Sequence, residues 1–199
     1  KLSFEHYLTA YPDGAFGLNA HYNLCLLAKK RGDEEQVLTH AGSVLRYPDS
    51  PYAEEALLMH AEVLFNQKRY EEALADYRQL QARASTSERR QLGMLGTLRC
   101  AVLTEDHAEA IQAATALLGE AKLSPELRTE ALYARAKARL ERGEESKALP
   151  DLQLLAADTR TQEGAEAKYL LALLHYGEKD YAGAEKEILD YIERSTPHA

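Results

Sequence analysis

Four adjacent Glu pairs, two cysteines and seven histidines are the side chains of this 199-residue chain with the types to do chemistry. Two neighbouring carboxylates divide acid and base roles when their surroundings push their proton affinities apart. Here Glu34/Glu35, Glu54/Glu55, Glu71/Glu72 and Glu144/Glu145 each open a helical pattern. Negative charge suits the positive end of a helix dipole, so they read as solvated helix starts. Cys25 and Cys100 have no CxxC partner and no His at ligand spacing, and both lie in apolar helical runs. They read as buried free thiols acting as small hydrophobes. His21, His40 and His60 fall on different segments, with no carboxylate pair at metal-ligand spacing. His60 lies on an apolar stripe and reads as a packed, hydrogen-bonded histidine. No HExxH, GxSxG or P-loop occurs, and Gly93 and Gly96 form a lone GxxG inside a helical pattern. Those glycines mark a close approach of two helices. The expectation is a non-enzyme with no catalytic residue, no cofactor and no metal.

Bulk composition narrows the partners. Asp and Glu number 32 against 24 Lys and Arg, a formal net charge of −8. Nucleic acid binding needs cations to replace phosphate counterions, and an anionic membrane surface attracts the same cations. The charge argues against both. Apolar residues make up 45% of the chain, and Ala and Leu dominate them, which favours helix because such side chains lose little rotamer freedom there. No run approaches the roughly 18 apolar residues of a membrane span. The chain begins at Lys1 within a helical pattern, and reads as a fragment of a longer protein.

These residues are positioned by a repeat. Tyr11-Pro12-Asp13-Gly14-Ala15-Phe16 returns 36 residues later as Tyr47-Pro48-Asp49-Ser50-Pro51-Tyr52. In each, Pro stops one helix and the polar turn starts the next. A second phrase occurs five times, ending at Val37, Ala73, Ala110, Ala148 and Ala184, with steps of 36, 37, 38 and 36. It has the makings of a tight helix–helix turn: Gly or a flexible polar residue ends one helix, and Asp33, Asp106 or Asp180 caps the next. Between these marks the apolar spacing is helical, as in Leu57, His60, Ala61 and Leu64. Eleven helices are predicted, over residues 2–10, 17–31, 34–46, 51–67, 70–83, 87–104, 107–119, 125–142, 145–157, 162–178 and 181–193. Pro150 lies inside the ninth, so that helix either starts late or bends.

The arrangement resembles the tetratricopeptide repeat family. The second repeat carries the pattern best, with Leu57, Ala61, Tyr70, Ala73, Tyr77 and Leu80. The fifth has Ala172, Tyr181, Ala184, Ile188 and Tyr191, and the fourth Leu132, Ala136, Ala148, Leu152 and Leu155. The first and third are degenerate at Val37, Ala41 and Ala114. The two YPD phrases and the repeat length are similar to a bacterial cell-envelope branch, the outer-membrane-assembly lipoproteins of the BamD type and the Tol-Pal-associated YbgF type. The resemblance implies an all-α, right-handed α-solenoid of antiparallel helix pairs. It forms a single array over residues 1–199: residues 1–14 are the second helix of a truncated repeat, and 15–50, 51–86, 87–124, 125–160 and 161–199 are hairpins. The narrower likeness implies a cell-envelope or periplasmic location.

By the same resemblance, first helices line a concave groove that binds a protein or peptide. Register places three rows there: Tyr22, Leu58, Leu95, Tyr133 and Tyr169; Leu26, Glu62, Arg99, Lys137 and Leu173; Lys29, Phe65, Val102, Leu140 and Tyr176. Tyrosine offers large contact area with a polar tip, though Tyr22, Tyr133, Tyr169 and Tyr176 serve equally well packed between repeats. The family's clamp for C-terminal carboxylates is missing, because Tyr22, Leu26 and Met59 stand where its polar residues belong. The leading reading is a non-catalytic binding scaffold. Alternatives are an accessory module of an enzyme whose catalytic domain lies elsewhere, and self-association through Ile188, Leu189 and Ile192 on the final helix.

Overall fold

The five-fold phrase folds as a left-handed turn. In the computed structural model, which describes residues 2–12 and 14–195, the same phrase position has positive φ each time: Gly32 69°, Lys68 61°, Glu105 56°, Gly143 66° and Lys179 65°. A residue in this conformation ends a helix and lets the next amide bond back to a carbonyl of the last turn. Asp33 N donates to Ala28 O at 3.0 Å, Arg69 N to Leu64 O at 2.9 Å, Glu144 N to Arg139 O at 2.8 Å and Asp180 N to His175 O at 2.9 Å. The predicted caps then start the following helix. Asp33 accepts from Gln36 N at 3.2 Å, Asp106 from Glu109 N at 3.0 Å and Asp180 from Gly183 N at 3.0 Å.

The helices are α1 (Leu2–Ala10), α2 (Gly17–Arg31), α3 (Glu34–Leu45), α4 (Ala53–Asn66), α5 (Tyr70–Arg83), α6 (Ser87–Leu103), α7 (His107–Leu118), α8 (Pro125–Glu141), α9 (Glu145–Ala156), α10 (Gln162–Gly177) and α11 (Tyr181–Ser195). All eleven expected helices are present, and no strand occurs among the described residues. The start of α4 differs most at the N-terminal side: Pro51 lies in a turn closed by Ala53 N to Ser50 O at 3.1 Å, so the helix begins at Ala53.

Contacts divide the chain into two compact units, residues 1–104 and 105–199. In the first, α1 to α6 pack in sequence order, and the first helices α2, α4 and α6 also touch their neighbours. Its core joins Cys25, Val37, Ala41, Val44, Ala56 and Met59 in one cluster and Leu57, Ala61, Leu64, Ala73, Tyr77 and Leu80 in the next. In the second unit α7 to α11 pack in order, with α8 also touching α10. Its cluster joins Leu132, Ala136, Ala148, Leu152, Leu155, Ala167 and Leu171.

Small residues set how close the helices come. A Cβ on Gly93 would stand 2.7 Å from Gln81 N and 2.9 Å from Tyr77 O, and one on Gly96 would enter the Tyr77 ring. The close approach expected of the GxxG is therefore that of α6 on α5. Pro150 does not delay α9, which runs unbroken from Glu145 to Ala156. It has no N–H to give to Ser146 O, four residues back, and its ring crowds that carbonyl. In the same turn the Arg139 guanidinium donates to Lys147 O at 2.7 Å.

Two opposite stability effects follow. Gly93→Ala should cost about 1–3 kcal/mol, because backbone rather than a movable side chain blocks the new methyl. Lys68→Gly should gain a few tenths to about 1 kcal/mol by removing left-handed strain at an exposed turn. Urea unfolding followed by circular dichroism checks both.

Candidate functional site

First helices present one face in each unit. In the first unit, Lys29 of α2 pairs with Glu62 of α4 at 2.8 Å, and Asn19 Nδ2 donates to the Tyr52 hydroxyl at 2.9 Å. The Tyr22 ring stacks on Tyr52 with centroids 4.3 Å apart and planes at 16°. Tyr22 thus packs between repeats. Leu26, Lys29, Arg99 and Val102 are exposed, Glu62 and Phe65 are half-buried, and Leu58 and Leu95 are buried at the edge of the core. Phe65 meets Tyr70 edge-on at 5.4 Å.

Between α4 and α6 this face holds a cavity of about 330 Å³, lined by Leu58, Glu62, Phe65, Asn66, Tyr77, Leu92, Leu95, Gly96 and Arg99. Five of these, Leu58, Glu62, Phe65, Leu95 and Arg99, come from the predicted rows. The floor was not predicted. Tyr77 belongs to α5, and its ring fills the space that a side chain on Gly96 would take, which brings it into the cavity lining. The glycine itself was the only sequence signal for it.

The second unit presents α8 and α10. Tyr133 and Leu140 are half-buried and pack on the core cluster. Lys137 lies over the Tyr133 ring, 5.3 Å from its centroid, and its Nζ is 3.4 Å from Glu166. On α10, Tyr169, Leu173 and Tyr176 are 46%, 48% and 65% exposed, an open apolar stripe along one helix face. Tyr176 touches Tyr181 edge-on at 5.5 Å.

The candidate chemical groups are engaged structurally. Burial pushes the Cys25 and Cys100 thiols up to about 11, far from the thiolate a nucleophile needs. Hydrogen bonds from Lys147 and Arg142 hold Glu144 down at about 2, so it carries no proton to donate at neutral pH. The other Glu pairs do more than sit in solvent. Glu34 accepts from Gln67 at 2.9 Å, Glu54 accepts Ser85 N at 2.8 Å, and Glu55 pairs with Arg89. The Glu34 and Glu55 contacts tie one repeat to the next, and the Glu54 bond holds the start of α4 to the loop that ends its own hairpin. Among the described residues, no group of three or more His, Cys, Asp or Glu side chains is placed to hold a metal ion.

One register position was not foreseen at all. Eight residues beyond the turn residue, the second helix carries His40, Asp76, Asp151 or Glu187, and each bonds a first-helix side chain of its own hairpin. His60 Nδ1 is 2.6 Å from Asp76, which makes it the hydrogen-bonded histidine expected. Arg135 grips Asp151 at 2.7 and 2.8 Å, with Arg139 adding a third bond at 2.9 Å. Lys168 reaches Glu187 at 2.9 Å and also pairs with Asp190. His21 and His40, scattered in sequence, meet Nδ1 to Nδ1 at 3.0 Å.

Three windows of the chain, residues 39–88, 58–126 and 133–199, match the family model described as Tetratricopeptide repeat. Among solved structures, one of MamA protein is similar with a TM-score of 0.70 over 90% of this chain and 92% of that chain, at 14% identity. A second MamA structure gives 0.67 over 86% and 94%, at 15% identity. The nearly identical TPR-like repeats of a Podosopora anserina kinesin light chain give 0.58 over 88% and 93%, at 15% identity. No curated protein matches the chain. At these identities the likeness is one of fold, an all-helical tetratricopeptide α-solenoid.

The Asp151 cluster is the most deeply placed charge in the second unit, with the aspartate side chain 3% exposed and its two arginines 16% and 17%. Asp151→Asn keeps the shape but strands two guanidinium groups, and should cost about 3 kcal/mol or more. Urea titration measures it.

Proposed function

The chain belongs to the tetratricopeptide repeat family, and from that premise we propose that it is a protein-binding scaffold whose first-helix faces hold a segment of another protein. The observation that carries this reading is the cavity between α4 and α6. Leucines and Phe65 wall it, and Glu62, Asn66 and Arg99 are polar groups in its lining. That combination fits an apolar side chain flanked by polar backbone or side-chain groups. The bare stripe of Tyr169, Leu173 and Tyr176 supports the same role for the second unit, since large exposed aromatics are what interfaces bury. The two YPD phrases support a bacterial cell-envelope setting.

Self-association is the second reading, and α11 favours it. Leu189 stands where the earlier hairpins have Gly42, Arg78, Thr115 and Gln153, and it is 52% exposed. Ile192 is 49% exposed. A second copy would cover these apolar side chains.

One variant per unit tests the scaffold. Leu92→Glu places a charge at the cavity while sparing the core, because Leu92 is already 41% exposed. Tyr169→Ala with Leu173→Ala strips the α10 stripe. With a partner obtained by co-purification, at least one variant should weaken capture about tenfold, equivalent to ~1.4 kcal/mol. Full-strength capture by both, with helicity retained, would falsify the first-helix assignment. For the second reading, light scattering over a concentration series should show a dimer that Ile192→Lys abolishes; a monomer throughout removes it.

A further inference from the structure

The hairpin α2–α3 differs from its neighbours in what locks it. In three hairpins the recurring second-helix position is a carboxylate that faces a base: Asp76 with His60, Asp151 with Arg135, Glu187 with Lys168. In α3 the same position is His40, and it faces His21. Both rings are half-buried, tilted 48° to each other with centroids 5.3 Å apart.

Proton bookkeeping makes this contact conditional. A neutral imidazole has one N–H and one bare nitrogen. The 3.0 Å Nδ1–Nδ1 contact therefore needs one ring with Nδ1–H and the other with a bare Nδ1. A first added proton goes to the bare Nε2 of the donating ring. The bond survives and becomes charge-assisted. A second proton has only the accepting Nδ1 left to take. Two N–H groups and two positive rings then face each other, and the bond is gone.

We propose that the His21–His40 contact is a proton-operated joint, which holds α2 to α3 while at most one of the two rings is charged and releases them when both are. The surroundings favour this. The groups whose charge acts on His21 are Arg46, at the C-cap of α3, and His40 when it carries a proton. Beside His40, Arg31 and Asp33 line a small hollow together with Gln36. Burial first, then His40 and Arg46, push His21 below the ordinary histidine range. A base held low in the folded state contributes stability that is present above its unfolded value and lost as pH falls through the folded one. The neighbouring hairpin has no such pair of like rings, because His60 faces the Asp76 carboxylate. One histidine position thus singles out a single hairpin for release by acid. α2 also carries Tyr22, Leu26 and Lys29, so release would withdraw part of the first-helix face; that consequence rests on the proposed scaffold reading, whereas the joint does not.

Hydrogen exchange of the whole chain tests it, with rates corrected for the intrinsic pH dependence. Between about pH 7 and about pH 5, the window in which ordinary histidines charge, protection of α2 and α3 should fall about tenfold relative to α4 and α5. His40→Asn should abolish the difference. His40→Asp recreates the His–carboxylate pair of α4–α5 and should bring the pH responses of the two hairpins together. Equal pH responses of the two hairpins in the wild type overturn the proposal, as does an undiminished difference in His40→Asn. The asparagine variant decides the matter even if the aspartate variant does not fold.

Discussion

Within each unit a hairpin closes through one residue in the left-handed region, and the packing of both its helices depends on it. The turn reverses the chain within two residues, so the second helix returns along the first with no slack. Its back-bonded amide also satisfies a carbonyl that the helix end would leave bare. An L-residue with a side chain resists this conformation by roughly 1–2 kcal/mol, yet Lys68, Glu105 and Lys179 adopt it as fully as Gly32 and Gly143 do. At Lys68 and Lys179 the packed helices on either side hold the residue there. The requirement is one of tertiary geometry, with glycine only the easiest answer to it.

Close approach is the second constraint, and it follows from stacking. A helix with a neighbour on either side has little outward face, so its contact positions must be small. Ala41, Ala61, Ala73, Ala114, Ala136, Ala148 and Ala167 are all fully buried. Where α6 meets α5 even alanine is too large, and glycine takes over. Gly96 also makes room for the Tyr77 ring, which lines the cavity between α4 and α6. The most site-like feature of the first unit is thus a by-product of the rule that packs it.

Charge is arranged along the same period. Acids at helix starts reach forward to the next repeat, as Glu34 does to Gln67 and Glu55 to Arg89. Deeper side chains lock four of the hairpins to themselves at one repeated position, which in α7 is Ala113. Buried charged pairs add little net stability compared with apolar packing, but leaving one partner alone is costly. They therefore specify which helix lies on which more than they strengthen the stack. The groups that could have done chemistry are absorbed into this scheme: the thiols are buried and protonated, and Glu144 is held as a permanent anion between Arg142 and Lys147.

The turn phrases, the Asp caps and the 3.6-residue spacing are local, so the sequence by itself determined all eleven helices and the close contact at Gly93 and Gly96. It also placed Leu58, Glu62, Phe65, Leu95 and Arg99 on one face, since register is periodic. Contacts between residues distant along the chain were beyond it. The meeting of His21 with His40, the bridging of Lys147 O by Arg139 below Pro150, and the outcome for Tyr22, packed on Tyr52, against Tyr169 and Tyr176, left open, were decided only in the tertiary structure. Each depends on side-chain directions and on distances of a few ångströms across two helices, which a repeat period of 36 to 38 residues leaves unspecified.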